Sequence, residues 1–411
     1  MSDSPNDATR VPQAPAVEAG GTRWAAPVPF LITGLIFASY FVRIPSLKLE
    51  LGLSDGQLGV FLVLPILSGM VAMQLTGRLV ARLGSGPILR CVMVAFPVSL
   101  LGFVPVDGLV GFTVVLLVFG ALDGLIDISM NAHTIAVERA IERPIMNRCH
   151  AAWSIGSAIG SLAGGAALRA GLSRTEHYLL VVAAMVVLAV MAGRRMLPAR
   201  ADRAAAGRAD TGRGRARGGW RTGWTRRLLL LALTGTMVLV CSGVVGNWSG
   251  VYLHDVLGAS LATASLGYIC FCVCEAGARL VGDRLHLRYG APLLARCASA
   301  VAVAGLAVVV LSPSPAVAVG GFALLGLGLS VLVPLVFSAV GHGATDSAAA
   351  SDSGSPEAAA ALAKIGTVTY SGLLVGPMLV GWFAEAFGLT STLAGLLVAL
   401  GLALAAGLRA L

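Results

Sequence analysis

Asp123, Asp127 and Asn131 recur at intervals of four in an otherwise apolar stretch, and that spacing puts all three on one face of a helix. A charge kept at the centre of a bilayer costs at least ~2.5 to 3.5 kcal/mol on insertion scales, so such carboxyls mark functional positions. Burial favours the protonated form of a carboxyl, which gives this pair the chemistry of proton uptake and release. The competing reading is that Asp127, Asn131 and Glu138 contact basic loops at the inner end and gate motion without carrying protons. Glu275 and Arg279 form a second polar pair, with the acid N-terminal at i, i+4, the better orientation for a helix salt bridge. They either neutralise each other or meet a substrate or proton.

Several further side chains have two readings. Asn247 and Trp248, with Tyr252 one turn on, either anchor an aromatic belt at the membrane surface or hydrogen-bond and stack on a polar ligand. Arg43, near Tyr40, either snorkels to the interface or serves as a gate or anion contact. Arg148, His150 and Trp153 open another apolar stretch. Arg148 reads as an interfacial charge, and His150 as a bridge to the acids at 123 and 127 that titrates near neutrality.

Other chemistries are poorly served. The chain has no Gly-rich phosphate loop ending in Lys-Ser/Thr and no His-Glu-x-x-His helix, so ATP hydrolysis is excluded. Cys270, Cys272 and Cys274 alternate, diverge around a helix and have no His beside them, which reads as small apolar filler and not a metal site. None of the seven cysteines falls in an expected outer loop, so no structural disulfide is expected. The six histidines are scattered, and nothing gathers nucleophile, base and orienting group as an enzyme requires. No metal and no cofactor is expected.

The elements that must hold these residues follow from composition. Of 411 residues 57% are hydrophobic and 12% charged, against the ~25% charge of soluble domains. Such an excess of apolar surface must face lipid. Apolar stretches long enough to cross ~30 Å of hydrocarbon as helix recur twelve times, at 26 to 47, 56 to 77, 87 to 106, 110 to 133, 150 to 170, 176 to 196, 228 to 252, 261 to 281, 291 to 312, 315 to 340, 360 to 384 and 388 to 408. The expected fold is an all-α polytopic membrane protein, twelve transmembrane helices in two pseudo-symmetric six-helix bundles. Residues 1 to 25 read as a disordered cytoplasmic tail and not a signal peptide, 26 to 196 as the N-terminal bundle, 197 to 227 as a basic linker and 228 to 411 as the C-terminal bundle.

Charge placement orients this arrangement. From Arg194 to Arg227 the chain holds eleven Arg and two Asp, which accounts for the whole net charge of +9. The charge therefore speaks of topology and not of nucleic acid. Basic segments beside membrane stay in the cytoplasm, and an even number of spans on either side puts both termini there. On this topology only Arg43, Lys48, Arg169 and Arg174 among the 29 basic residues fall in the outer half. The protein is then a multi-pass protein of the cytoplasmic membrane, its linker lying against anionic headgroups.

The halves also repeat. A shift of 206 pairs Arg78, Leu79, Arg82, Gly84 and Arg90 with Arg284, Leu285, Arg288, Gly290 and Arg296, and Gly120 with Gly326. A shift of 216 pairs Arg148 with Lys364, and Gly156, Gly160 and Gly165 with Gly372, Gly376 and Gly381. Parallel six-helix halves of this kind are one way to build alternating access around a site near the midplane.

Gly77-Arg-Leu-Val-Ala-Arg-Leu-Gly84 resembles the basic signature that follows the second helix of the major facilitator superfamily, with Ala81 where the signature has Asp; Gly77, Arg78 and Arg82 stand at its gating positions. The second copy, Gly282-Asp-Arg-Leu-His-Leu-Arg-Tyr-Gly290, places Asp283 and Arg284 at the equivalent turn. Within the superfamily, Arg43-Ile-Pro45, Asp123-Gly-Leu-Ile-Asp127 with Met130-Asn131, Arg148-Cys-His150 with Trp153-Ser154, and Asn247-Trp-Ser-Gly-Val-Tyr252 resemble the YbjJ-type branch, akin to fucose-proton symporters. Arg279 resembles that branch's arginine before the Gly-Asp-Arg turn, and Glu275 stands where the branch usually has an apolar residue. The run Gly156-Ser-Ala-Ile-Gly160-Ser-Leu-Ala-Gly164-Gly165 resembles the glycine motif of drug-proton antiporters, with Ser161 replacing its Pro. The same run also serves plain helix packing.

The resemblance implies a single-chain secondary transporter of a small molecule, driven by protons and needing no ATP. Efflux or exchange of a small organic molecule is the favoured reading, because the cavity candidates lack the many paired amides and acids of sugar recognition. Proton-symport uptake of a sugar-like or other polar metabolite is the alternative. A non-transporting membrane sensor is more remote, since no sizeable soluble signalling domain is present.

Overall fold

The computed structural model describes residues 24 to 141, 143, 145 to 196, 224 to 343 and 356 to 410. The tail through residue 23 and the linker from 197 to 223 lie outside the described residues. Among the described residues thirteen helices run in chain order: α1 (Val28–Glu50), α2 (Asp55–Leu83), α3 (Ser85–Ser99, extended by a 3-10 turn, Leu100–Phe103), α4 (Leu109–Ile141), α5 (Met146–Arg169), α6 (Arg174–Gly193), α7 (Arg226–Val251, extended by a π turn, Tyr252–Val256), α8 (Leu261–Tyr289), α9 (Ala291–Val310), α10 (Pro315–Leu329), α11 (Leu332–Gly343), α12 (Pro356–Phe387) and α13 (Leu389–Gly407). No strand occurs among the described residues. Eleven of their helical segments are long and apolar enough to cross a bilayer, with α10 and α11 together forming one of them. The window at 360 to 384 falls on α12, a helix of 32 residues whose apolar stretch, Val375–Phe387, is shorter.

Local chemistry starts and stops these helices. Ser54 with Gln57 opens α2, and Ser173 with Glu176 opens α6, each as a reciprocal capping box, while Thr225 and Ser260 cap α7 and α8. Gly84 and Gly290 end α2 and α8 at φ 85° and 77°, a conformation in which a Cβ is strained. They are the two glycines paired by the 206-residue shift.

The same repeat governs packing. In lipid, helices associate through close backbone approach at small residues. A Cβ on Gly120 of α4 would lie 1.9 Å from the carbonyl oxygen of Pro65 on α2, and one on Gly326 of α10 would lie 2.4 Å from that of Phe271 on α8. Pro65 and Phe271 are themselves one repeat apart. Gly156 and Gly160 of α5 close on α1 in the same way, so that a Cβ on either would strike the Leu31 or the Leu35 carbonyl oxygen, at 2.1 and 2.5 Å. Their repeat partners Gly372 and Gly376 of α12 meet Thr236 and Val240 of α7. The fifth-span glycines thus pack helices within a half. Gly164 abuts Val42, and Gly165 faces the other half.

Among the described residues two helix pairs form the broadest joins between the halves. In the α5–α8 seam Gly165 lies against Ser265 and Ile269, and in the α2–α12 seam Gly381 lies against Gly59 and the Asp55 carbonyl. The fold is therefore two pseudo-symmetric bundles related by chain repeat. One end of the molecule carries the described chain termini; the other, here called the far end, carries the α1–α2, α5–α6 and α7–α8 turns.

Candidate functional site

The α4 stripe forms as its spacing requires. Gly120 and Gly124 bury one edge of α4 against Pro65 and Gly69 of α2, and Asp123, Asp127 and Asn131 lie beside that edge, each half-buried. The Asn131 Nδ2 donates to the Asp127 Oδ1 at 3.2 Å and to the Asp127 carbonyl at 2.9 Å. Asp123 makes no hydrogen bond or ion pair with the described residues. A carboxyl in that state has only water, protons or a ligand to meet.

On α8, Tyr268, Cys272, Glu275 and Arg279 share a face, opposite the exposed Val273, Gly277 and Leu280. Arg279 Nη2 donates to Glu275 Oε1 at 2.8 Å and Nη1 to the Ser154 Oγ of α5 at 2.8 Å. Its Nε reaches the Ser330 carbonyl at 3.4 Å. That last acceptor has a sequence cause. Pro334, four residues on, has no N–H, so the Ser330 carbonyl has no intrahelical partner, and the span breaks there into α10 and α11. Arg279 fills the gap and so ties α8 to the break and, across the seam, to the N-terminal half. The pair is therefore more than a self-neutralising one.

The other sequence candidates fall elsewhere, and some need correction. Trp248 is 1% exposed and its Nε1 donates to the Pro377 carbonyl of α12 at 3.2 Å. Tyr252 is also 1% exposed, with its hydroxyl donating to the Val309 carbonyl of α9 at 3.1 Å. Neither is a belt residue or lines an open wall: the bulk of each ring fills the bundle and its polar tip finds a carbonyl. Asn247 is half-buried and spends its Nδ2 on the Gly243 carbonyl of its own helix. Arg43 does not snorkel. It is 4% exposed, with Nη2 on the Leu172 carbonyl at 2.9 Å and Nε on the Nδ1 of buried His177 at 3.3 Å, so it holds the α5–α6 turn.

At the terminal end, the Glu138 side chain makes no ion pair with an arginine among the described residues. Its Oε1 accepts from the backbone N–H groups of Ile145 and Met146, satisfying the otherwise orphaned start of α5. His150 does not bridge to the α4 acids; it is exposed and meets Phe30 edge-on at 5.2 Å. Arg78, Arg82, Arg148 and Arg284 are exposed, and Gly77 has open space around it. Asp283 sits within α8, its side chain outside the described residues.

A group that sequence reasoning missed closes the far end. Lys48 of α1 donates to Asp55 Oδ1 of α2 at 2.6 Å and to Asp255 of the other half. Glu385 Oε2 accepts from the Gly56 N–H at 2.9 Å, again across the halves. Beneath them Pro45 meets Gly250 and Phe41 meets Gly246, with the Phe41 ring edge-on to Tyr268 at 5.3 Å. The available signal was acids at the first turn of each half, Asp55 and Asp255, 200 residues apart and near-equivalent. Buried His133, whose Nδ1 lies 3.3 Å from the Ser85 Oγ, was also missed, although it follows Asn131 by two residues.

Comparison with known proteins agrees with this architecture. The chain is similar to transporter y4wD of Sinorhizobium fredii, 29% identical over 365 residues, covering 87% of this chain and 89% of that one. It is likewise similar to an MFS-type transporter of Yersinia pestis, 28% identical over 385 residues and 93% of each chain. Among solved structures, the nucleoside transporter NupG (D323A mutant) superposes with TM-score 0.72 at 10% identity, over 95% of this chain and 99% of that one. A D-xylose-proton symporter superposes with TM-score 0.68 at 13% identity, over 94% and 96%. The Major Facilitator Superfamily model matches residues 30 to 355, and with a repeated helical half and membrane-transporter relatives, the chain belongs to that superfamily, a membrane transporter and not an enzyme.

Proposed function

We propose that this transporter moves a small organic molecule out of the cell in exchange for protons, by alternating access between the halves 26 to 196 and 228 to 411, with the 197 to 227 linker and both termini in the cytoplasm. The observation that carries the reading is the α4 stripe: an unpartnered half-buried Asp123 one turn from Asp127, whose own carboxyl is held by Asn131. Two carboxyls one turn apart exchange a proton at low cost when neither has a fixed cation. The far-end contacts of Lys48 and Glu385 across the halves support a conformation closed on the outer side. Substrate enters from the cytoplasm in that state, and protons arriving from outside on the α4 acids drive the return.

The test begins with compounds that raise the melting temperature of the purified protein. In everted vesicles holding an inward-acid pH gradient reported by a dye, such a compound dissipates the gradient only when the protein is present. Asp123→Asn is expected to abolish that proton movement and Asp127→Asn to cut it at least tenfold. Wild-type proton flux in both variants would end the proposal.

A further inference from the structure

We propose that Arg279 anchors the anionic group of the substrate, a small organic molecule bearing a carboxylate, and that its arrival releases Glu275 to take up one proton. The inference rests on the transport reading above and names its substrate class. A guanidinium has five N–H donors. Three are used, on Glu275, Ser154 and the Ser330 carbonyl, which leaves one free on each of Nη1 and Nη2. A guanidinium whose two terminal nitrogens each keep an N–H to spare can receive a carboxylate as a fork, in a bidentate manner.

The fork is reachable and correctly placed. The Arg279 side chain is 37% exposed while its partner Glu275 is 10% exposed, so the cation, not the acid, is presented to open space. Its helix face is the one turned from the lipid-facing Val273, Gly277 and Leu280, and its guanidinium already touches both halves, so that open space lies between them. About 27 Å along α8 from Leu261 at 1.5 Å per residue, Arg279 stands past the midplane toward the terminal end, opposite to the closed end.

Charge then dictates a coupled step. Empty, the pair is Glu275 carboxylate with Arg279 cation, net zero. An anion on Arg279 competes with Glu275 for the same charge, and a carboxylate that loses its cation in a poorly solvated site takes a proton. The bond that forms is O–H on Glu275 Oε1, the bond that breaks is an O–H of hydronium reaching the cavity from bulk solvent, which is left as water, and the filled site is again net zero: carboxylic acid, guanidinium, substrate anion. Other titratable groups facing the pair are His150 of α5, whose field is coupled to Arg279, and Tyr268 and Cys272 of α8. The acids of α4 make no hydrogen bond or ion pair with Glu275 or Arg279.

The experiment is calorimetric titration of the purified full chain with acetate, lactate and benzoate, each against its neutral amide, from pH 8 to pH 6 and in buffers of differing ionisation enthalpy. Carboxylates bind and amides do not; binding takes up one proton, so affinity rises tenfold for each pH unit lowered. Glu275→Gln keeps binding, tightens it at pH 8 and flattens the pH dependence. Arg279→Lys, which keeps charge but not the fork, weakens binding at least tenfold. His150→Asn retains the slope. The double variant Asp123→Asn, Asp127→Asn also retains binding and slope even where it stops proton movement in vesicles, so failure of the α4 assignment is read separately. Amide binding equal to carboxylate binding, no binding by any of the three acids, an unchanged slope in Glu275→Gln, or a slope lost only in the α4 double variant each overturns the proposal.

Discussion

Lys48 offers the sharpest test of how the halves are held. Its Nζ touches two carboxylates, but only one contact crosses the halves: Asp55 belongs to the same half as Lys48, and Asp255 to the other. Opening the far end therefore breaks the Lys48–Asp255 bond and spares Lys48–Asp55. The side chains are 12% and 29% exposed, intermediate between a surface pair worth ~0 to 1 kcal/mol and a charge-assisted bond worth ~1.5 to 3. About 1 to 2 kcal/mol of the closed state's advantage thus rests on it, a ~5- to 30-fold change in the open-to-closed ratio. The assay is labelling by a membrane-impermeant maleimide of a cysteine placed at Phe41, which packs on Gly246 and Tyr268 beneath the gate, in a background lacking the native cysteines. Lys48→Ala and Asp255→Asn are each expected to raise the labelling rate from the far side by that factor, Asp55→Asn by less than threefold, and the Lys48→Ala, Asp255→Asn pair by no more than either alone. Equal effects of Asp55→Asn and Asp255→Asn, or additive effects of Lys48→Ala and Asp255→Asn, would refute the assignment.

Further outcomes follow from contacts already described. Gly120→Val and Gly326→Val each drive a side chain into a backbone carbonyl, a clash costing more than the ~1 to 3 kcal/mol of ordinary overpacking; both are expected to abolish the monodisperse peak in size-exclusion chromatography, whereas Gly77→Ala, which meets open space, leaves it intact. Trp248→Phe forfeits one hydrogen bond to the Pro377 carbonyl, about 0.5 to 1.5 kcal/mol, and lowers the melting temperature without changing substrate affinity; a loss of affinity at unchanged stability would return Trp248 to the substrate site. Glu138→Gln keeps one acceptor for the α5 N-terminus and is expected to be milder in thermal stability than Glu138→Ala, a difference that a purely ionic role would erase.

Much of the fold was legible because lipid allows so few solutions. Backbone polar groups must be satisfied internally, so a 20-residue apolar stretch is a helix, and the repeat then says which stretches are equivalent. Gly120 with Gly326 and Gly84 with Gly290 paired in sequence, and in the structure each pair makes the same close approach or the same positive-φ turn. The break at Ser330 was not read, although Pro334 announces it, because a proline within an apolar run is compatible with a kinked continuous helix. What decided for a break was the presence of a donor, Arg279, that the sequence places 51 residues away.

Candidate sites divide along the same line. Polar residues whose partners lie on their own helix were read correctly in their geometry: Asp127 with Asn131, Glu275 with Arg279. Residues whose partners come from another helix were misread or missed. Arg43 finds carbonyls 129 and 130 residues away, Trp248 one 129 away, and Lys48 an acid 207 away. For Arg43 and Trp248 a single sequence offers a local default, snorkelling or a belt, because the energetic requirement that a buried donor be satisfied does not say by whom. The distinction bears on function: a polar group satisfied by backbone is held in place, whereas Asp123, without a partner, and Arg279, with two donors to spare, are the groups left able to change partners during a transport cycle.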